Sequence, residues 1–460
     1  MASSDGESLG ARVRRLRLAQ GLSQTDLSSV GISASYLSLI EADKRRPTAA
    51  TLAGIASGLD TTVQYLTSGL PDADRAEIQI RLGTAKLLLE DGDAHGAATT
   101  YRGLLDAEDP NVAHAARWGL AVALEAEGDL DEAITSYERF LTLASAEPTR
   151  EPYLAAATAL SRCYREAGDL GRAVDVGEAA LARSSGYGLE HTDGHVAVLL
   201  TVAMAYVERG DLTRSQQLLG QVQQNLEALG SPRSRGGAYW NAAVLAGELG
   251  RTADAVTLIE RALALFGEGD DERNLSRLRN AYATLIMRHD PARAAEAVGL
   301  LETARERLAR LGSAVDVAYC ETELCRALSL MGRYDPAVLA AESALSRLGA
   351  GPRLESARAR AALAHALAGA GELAGAREQY AGAAGALQDM GARRQAALVW
   401  LELAQLEERA GTPGRALHAA TSALAAAGLT APFPAPGSQH DHRNRTPETK
   451  VSEQTAAGPG

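Results

Sequence analysis

The sequence predicts an all-α protein: a small N-terminal domain of five short helices, then a long stack of about nine helix pairs, then a disordered tail. Three observations carry this. Ala accounts for 92 of 460 residues and aromatic residues for only 4%, whereas a β-sandwich or barrel draws on β-branched and aromatic side chains. A Gly-anchored motif returns about every 40 residues between residues 92 and 416, the signature of a repeat array. The first 69 residues lack that motif and instead space capping residues closely.

The N-terminal elements follow in order. A first helix is predicted over 9–20, with Leu9, Val13 and Leu16 at helical spacing and Gly21 as its stop. Ser23 caps a second, and Asp26 three residues on makes a capping-box arrangement. Gly31 ends it. Ser33 caps a third over 34–41, Pro47-Thr48 opens a fourth running to residue 59, and a fifth covers 62–67. Val13, Leu16, Leu22, Leu27, Ile32, Leu37, Ile40, Leu52, Ile55 and Leu59 suffice for one small core, near the lower size limit for independent folding.

Residues 70–428 repeat. The motif is Gly, a charged or polar residue, and a small residue at the sixth position: Gly92-Asp93 with Ala97, Gly128-Asp129 with Ala133, Gly168-Asp169 with Ala173, Gly210-Asp211 with Ser215. It continues as Gly250-Arg251 with Ala255, Gly332-Arg333 with Ala337, Gly371-Glu372 with Ala376, and Gly411-Thr412 with Ala416. An irregular copy, His289-Asp290 with Ala297, carries two extra residues. Gly ends a first helix in a conformation that costs it little. An acidic residue then favours the start of the second helix. The small residue lets the two helices approach, and larger residues follow on the same face: Tyr101, Tyr137, Leu219, Ile259, Leu301 and Tyr380. No pair buries its face alone, so the stack shares one core.

Charge divides the chain in the same way. Residues 1–69 hold seven basic and six acidic side chains, the rest 39 and 52. With a net charge of −12 the whole is no generic polyanion binder, and any such contact must be local. The basic residues of the first part cluster as Arg12, Arg14, Arg15, Arg17 and as Lys44, Arg45, Arg46. Three cysteines, Cys163, Cys320 and Cys325, are too few for a disulfide framework and fit a reducing compartment. No apolar run is long enough to span a membrane, and the opening MASSDGES lacks a secretory pattern, so a cytoplasmic location is expected. The tail, 429–460, is rich in Pro, Gly and polar residues and has little to bury. No catalytic or metal-binding motif is present: the acidic stretch Glu268 to Glu272 lacks the alternating ligands of a calcium loop. No enzyme activity, cofactor or metal is expected.

Arg17, Gly21-Leu22-Ser23-Gln24, Leu27, Ile32-Ser33, Tyr36-Leu37-Ser38-Leu39-Ile40-Glu41 and Lys44-Arg45-Arg46-Pro47 resemble, in order and spacing, the lambda-repressor-like (Xre-type) helix-turn-helix family. One residue fewer than usual separates Leu27 from Ser33. The resemblance implies double-stranded DNA as partner. It implies base-facing positions at Ala34, Ser35, Ser38 and Leu39, capped by Ser33, and phosphate contacts from Gln24, Tyr36, Lys44, Arg45 and Arg46. Short side chains there let the helix come near base edges. It also implies a structural ion pair between Arg17 and Glu41.

The repeats resemble tetratricopeptide repeats of longer period, which implies a right-handed α-solenoid. The joined architecture resembles bacterial regulators of the Rap/PlcR type. That implies transcription regulation by a homodimer whose array receives a peptide or protein signal. The alternative is an interaction scaffold whose N-terminal domain binds DNA weakly or not at all. On the concave surface, lined by the first helix of each pair, fall Arg162, Thr201, Trp240, Asn241, Arg277, Asn280, Thr322, Glu323, Arg326, Arg358, His365 and Glu402. Trp240, Asn241, Arg277, Asn280, Thr322 and Arg326 are the ligand candidates. An Asn amide both donates to and accepts from a peptide backbone, Trp240 offers a flat apolar face, and Arg277 a carboxylate partner. Trp118, Trp240 and Trp400 as a series read as repeat core.

Overall fold

The computed structural model describes residues 7–27, 31–69, 72–107, 109–144, 151–224, 231–268, 271–311, 313–350 and 353–429. The expected tail lies almost wholly outside them. Four helices, α1 (Leu9–Ala19), α2 (Ala34–Glu41), α3 (Ala49–Gly58) and α4 (Val63–Ser68), form the N-terminal domain. Ser8, Ser33, Thr48 and Thr62 cap them, each side chain accepting from a backbone N–H of the first turn. Val13, Leu27, Leu37, Ile40, Ile55, Leu59 and Leu66 fill the core.

The second helix expected after Ser23 lies partly outside the described residues. Asp26–Leu27 form only a short 3-10 turn, and residues 28–30 lie outside the described set. The capping box does form: Asp26 Oδ2 accepts from the Ser23 amide at 2.6 Å and from its hydroxyl at 2.7 Å, and the Asp26 amide donates back to Ser23 Oγ at 3.3 Å.

One ion pair ties this domain together. Arg17 Nε donates to Glu41 Oε1 at 2.7 Å and Nη2 to Oε2 at 3.0 Å, while Nη1 holds the Leu22 carbonyl at 2.7 Å. Both partners are buried. Burial pushes the Glu41 carboxyl up, and hydrogen bonds from Arg17 and Gln24 more than offset it, so its pKa lies below the ordinary value.

The remaining helices form nine antiparallel pairs: α5 (Asp72–Glu90) with α6 (Ala94–Arg102), α7 (Pro110–Glu127) with α8 (Leu130–Ala144), and α9 (Glu151–Ala167) with α10 (Leu170–Gly186). Then come α11 (Asp193–Arg209) with α12 (Leu212–Gln224), α13 (Pro232–Glu248) with α14 (Thr252–Gly267), and α15 (Glu272–His289) with α16 (Ala294–Leu311). The last are α17 (Ala314–Leu330) with α18 (Tyr334–Leu348), α19 (Arg353–Ala370) with α20 (Leu373–Asp389), and α21 (Arg393–Arg409) with α22 (Pro413–Ala426). The motif glycine of every regular pair adopts the left-handed conformation. Asp93, Asp129, Asp169 and Asp211 then cap the second helix through their carboxylates. The small anchors from Ala97 to Ala376 are fully buried, whereas Ala416, in the last pair, is half-exposed. The irregular sixth pair absorbs its extra residues in a 3-10 turn, Pro291–Arg293, capped by Asp290.

The stack curves back on itself. Helix α9 touches α19, and α11 touches α21, each five pairs further along. At the return, buried Glu208 of α11 accepts from Arg358 of α19 and Gln395 of α21, with Arg165 of α9 at 3.5 Å. Arg394 donates to the Glu248 carbonyl at 2.6 Å. Gly168 lies so close to the next turn that a Cβ there would collide with Met390 Sδ, whereas a Cβ at Gly128 would meet open space.

Gly128→Ala should cost about 1–2 kcal/mol, from the left-handed backbone alone. Gly168→Ala should cost more because Met390 must also move; equal urea midpoints for the two variants would show that the returning turns do not constrain this position. Glu41→Ala leaves Arg17 buried without its partner, a loss of about 3–5 kcal/mol. Near-ultraviolet circular dichroism should report an N-terminal domain unfolded while far-ultraviolet helicity of the array persists. The same pair sets a pH dependence. A lowered folded-state pKa means its stabilisation is full above the ordinary glutamate range and is lost as pH falls through the folded value. The N-terminal domain should therefore weaken on acidification, and the Glu41→Gln variant should lack that component.

Candidate functional site

Two surfaces hold the sequence-predicted residues. On α2, Leu37, Ile40 and Glu41 turn inward, and Ser35, Ser38 and Leu39 face solvent with Ala34 partly exposed beside them. Ser33 Oγ accepts from the Tyr36 amide at 3.2 Å, fixing the start of the helix. Lys44, Arg45 and Arg46 follow its end, all exposed. Tyr36 is half-buried against the small core. Gln24 is drawn inward: its Nε2 donates to Glu41 Oε2 at 2.8 Å, so that N–H is spent on the ion pair. The basic run before it is also partly spent. Arg12 donates to the Leu66 carbonyl at 3.1 Å, and Arg15 pairs with Glu7 at 3.0 Å. Positive charge free of such partners therefore concentrates after α2. Asp43 shapes that segment, taking a left-handed backbone and accepting from the Gly10 amide at 3.1 Å.

The second surface is the wall of a central cavity of about 1470 Å³, enclosed by the first helices of the pairs from α7 to α21. Of the concave residues read from the sequence, Arg162, Thr201, Trp240, Asn241, Arg277, Asn280, Glu323, Arg326, Arg358, His365 and Glu402 line it. Thr322 does not. It is buried, and its hydroxyl donates to the Ala318 carbonyl at 2.9 Å, one turn back on α17. Its neighbour Glu323, about 100° further round the helix, takes the wall position instead.

Local partners change several expected roles. Trp118 and Trp240 line the cavity instead of being confined to core. Trp240 meets Phe266 edge-on at 6.5 Å, and the Arg277 guanidinium lies 5.8 Å from its ring centre. Arg277 already has a carboxylate: its Nε is 3.0 Å from Asp316 Oδ1, and Arg273 reaches the other oxygen at 2.8 Å. Burial pushes the Asp316 carboxyl up, but Arg277 and Arg273 pull it further the other way, to about 2. Asn241 Nδ2 donates to the Gly237 carbonyl at 2.9 Å, and its Oδ1 has no partner among the described residues. Asn280 is fully buried, with Oδ1 likewise unpartnered. Arg326 pairs with Glu323 three residues before it.

Sequence reading passed over Glu125, Glu166, Glu208, Glu248, Asp316 and Glu355 on this wall. A signal existed for Glu355: the pattern Glu-x-x-Arg at Glu323 and Arg326 returns as Glu355 and Arg358 on the next first helix. Glu166, partly exposed on this wall, has its carboxyl raised to about 7, chiefly by loss of hydration.

Among the described residues, no helix is long and apolar enough to cross a membrane. No group of three or more metal-ligating side chains occurs among them.

Residues 13–66 match the helix-turn-helix family, and residues 111–185 match the tetratricopeptide repeat family. Among curated proteins none matches the sequence. A Rap protein solved in complex with competence and sporulation factor is similar at 14% identity, over 76% of this chain and 98% of that one, with a TM-score of 0.55. PlcR of Bacillus thuringiensis, solved with the peptide PapR7 and DNA, is 21% identical over 57% of this chain and 95% of that one, with a TM-score of 0.36. The Rap likeness is one of fold. The chain thus joins a helix-turn-helix domain to an array of tetratricopeptide-type helix pairs.

Proposed function

We propose that the chain is a sequence-specific DNA-binding transcription regulator, acting as a homodimer in the cytoplasm, whose array receives an extended peptide or a protein segment in its cavity. The observation that carries this is the exposed face of α2, Ser35, Ser38 and Leu39, with Lys44, Arg45 and Arg46 beside it on a domain braced by the Arg17–Glu41 pair. Ser reaches several base edges, and Leu or Ala suits a thymine methyl. A basic segment next to a groove-reading helix is where phosphates would lie. One such helix reads only a short half-site, which is the reason for a dimer.

The array supplies the signal side of the reading. Its cavity is concave, largely apolar around Trp240, and holds unpartnered polar atoms, the features of a ligand site. The Rap neighbour, alike in fold, was solved with a bound factor, which supports a ligand role here. A ligand that prefers one curvature of the stack would shift the spacing of two DNA-binding domains; equal affinity for both curvatures shifts nothing.

A second reading has its own observation. Gln24 is engaged with Glu41, and Arg12 and Arg15 are held by partners within the domain. These favour an interaction scaffold with a weakly binding N-terminal domain.

Genome-wide footprinting of the tagged protein separates the two: discrete sites sharing one motif support the regulator, and their absence supports the scaffold. On the sites found, changing Lys44, Arg45 and Arg46 together to Ala should weaken binding to every sequence alike and lower the salt slope by up to about three charges. An unchanged slope removes these residues from the interface. Ser38→Ala should instead change the preferred base at one position, by about 1–3 kcal/mol; an unaltered motif from the same footprinting would move base reading off this face.

A further inference from the structure

The polar groups of the cavity wall do not balance. Seven arginines face nine carboxylates there, and every one of those arginines already lies in an ion pair. What remains over is acceptor. Four side-chain atoms of cavity-lining residues are buried with no hydrogen-bond partner among the described residues: Oδ1 of Asn241 and of Asn280, and Oε2 of Glu323 and of Glu355. All four accept; none donates. Asn280, Glu323 and Glu355 are each more than nine-tenths buried, so solvent does little to satisfy them. A buried carboxylate oxygen left unpaired is costly, and a cationic N–H is the donor that relieves it most.

The two carboxylates belong together. Glu323 on α17 and Glu355 on α19 lie on the first helices of consecutive pairs, and each uses its other oxygen on an arginine three residues later, Arg326 and Arg358. Both bear on the hydroxyl of Tyr319: after burial, they are the groups that push its pKa up. The last torsion of a glutamate is soft, so a small rotation turns each free oxygen toward an incoming donor.

We infer that the cavity is a cation site, taking a peptide whose ammonium or guanidinium group seats between Glu323 and Glu355 while its backbone N–H groups meet Asn280 and Asn241. This rests on the reading that the array receives a peptide. Two uncompensated acceptors already stand in the unliganded wall, so a positively charged residue gains from a contact that a neutral or acidic one lacks.

The test uses the full-length chain and pools of pentapeptides with one position fixed as Arg, Lys, Glu or Leu, alongside 1,5-diaminopentane as a small cation. Binding is read by affinity selection and calorimetry. Arg and Lys pools should be retained about tenfold over Glu and Leu pools, the worth of a charge-assisted hydrogen bond. The variants Glu355→Gln and Glu323→Gln with Glu355→Gln, checked for unchanged helicity, should lose that preference stepwise. Pools that bind without regard to charge, or a preference that survives the double variant, overturn the cation site and leave the peptide reading standing. Binding of diaminopentane alone, abolished by the double variant, keeps the cation site and overturns the peptide. Failure of every probe on the intact protein overturns both.

Discussion

The contact at Glu208 decides what the array encloses. A stack of helix pairs needs only neighbour-to-neighbour packing, and left at that it would be an open spiral with a groove. Here one buried carboxylate on α11 collects Arg358 and Gln395 from helices far along the chain, with Arg165 of the neighbouring α9 beside them. Buried charge gathered this way is weak as a source of stability, since desolvation offsets much of the attraction. Its value is geometric. Breaking it would strip buried Glu208 of its partners from the returning helices, so the curvature that brings them together is held within a narrow range. The cavity, its lining and the exclusion of water from Asn280 and Glu323 all presuppose that curvature.

The N-terminal domain uses the same device on a smaller scale. Arg17 and Glu41 join α1 to the end of α2, and Gln24 is added to the pair from the intervening turn. Three consequences arise from one interaction: the outward face of α2 is fixed in angle, the following basic segment starts from a fixed point, and Gln24 gives up part of its hydrogen-bonding capacity. Bracing and reading therefore compete for one side chain. A reading helix held firmly has fewer free groups around it.

Much of the fold was legible because it rests on local chemistry. Glycines that must take a left-handed turn, aspartates that cap, and alanines that permit close approach announce nine pairs by spacing alone. At Ser23 the local chemistry was legible too: Ser23 and Asp26 form the expected capping box, and Asp26–Leu27 turn in a 3-10 conformation behind it. The cavity wall was half legible. Helical periodicity placed Asn280, Arg326 and Arg358 on the inner side, but a one-residue step of about 100° separates Thr322 from Glu323 and cannot be resolved by eye. Partners across the cavity were illegible. Nothing in the sequence near Arg277 reveals Asp316 as its partner, and nothing near Glu208 reveals Gln395, 187 positions away. The first pairing joins neighbouring units, and the second exists only because the superhelix returns.

That return also bears on how such a chain can change over generations. Repeat arrays commonly lengthen or shorten by whole units, because each unit meets only its neighbours. In this chain α9 meets α19 and α11 meets α21, always five pairs apart. Duplication or loss of a single unit between them would carry Arg358 and Gln395 past Glu208 and set Met390 out of step with Gly168. The number of units within one turn is thereby locked, and variation in length is confined to the ends of the stack.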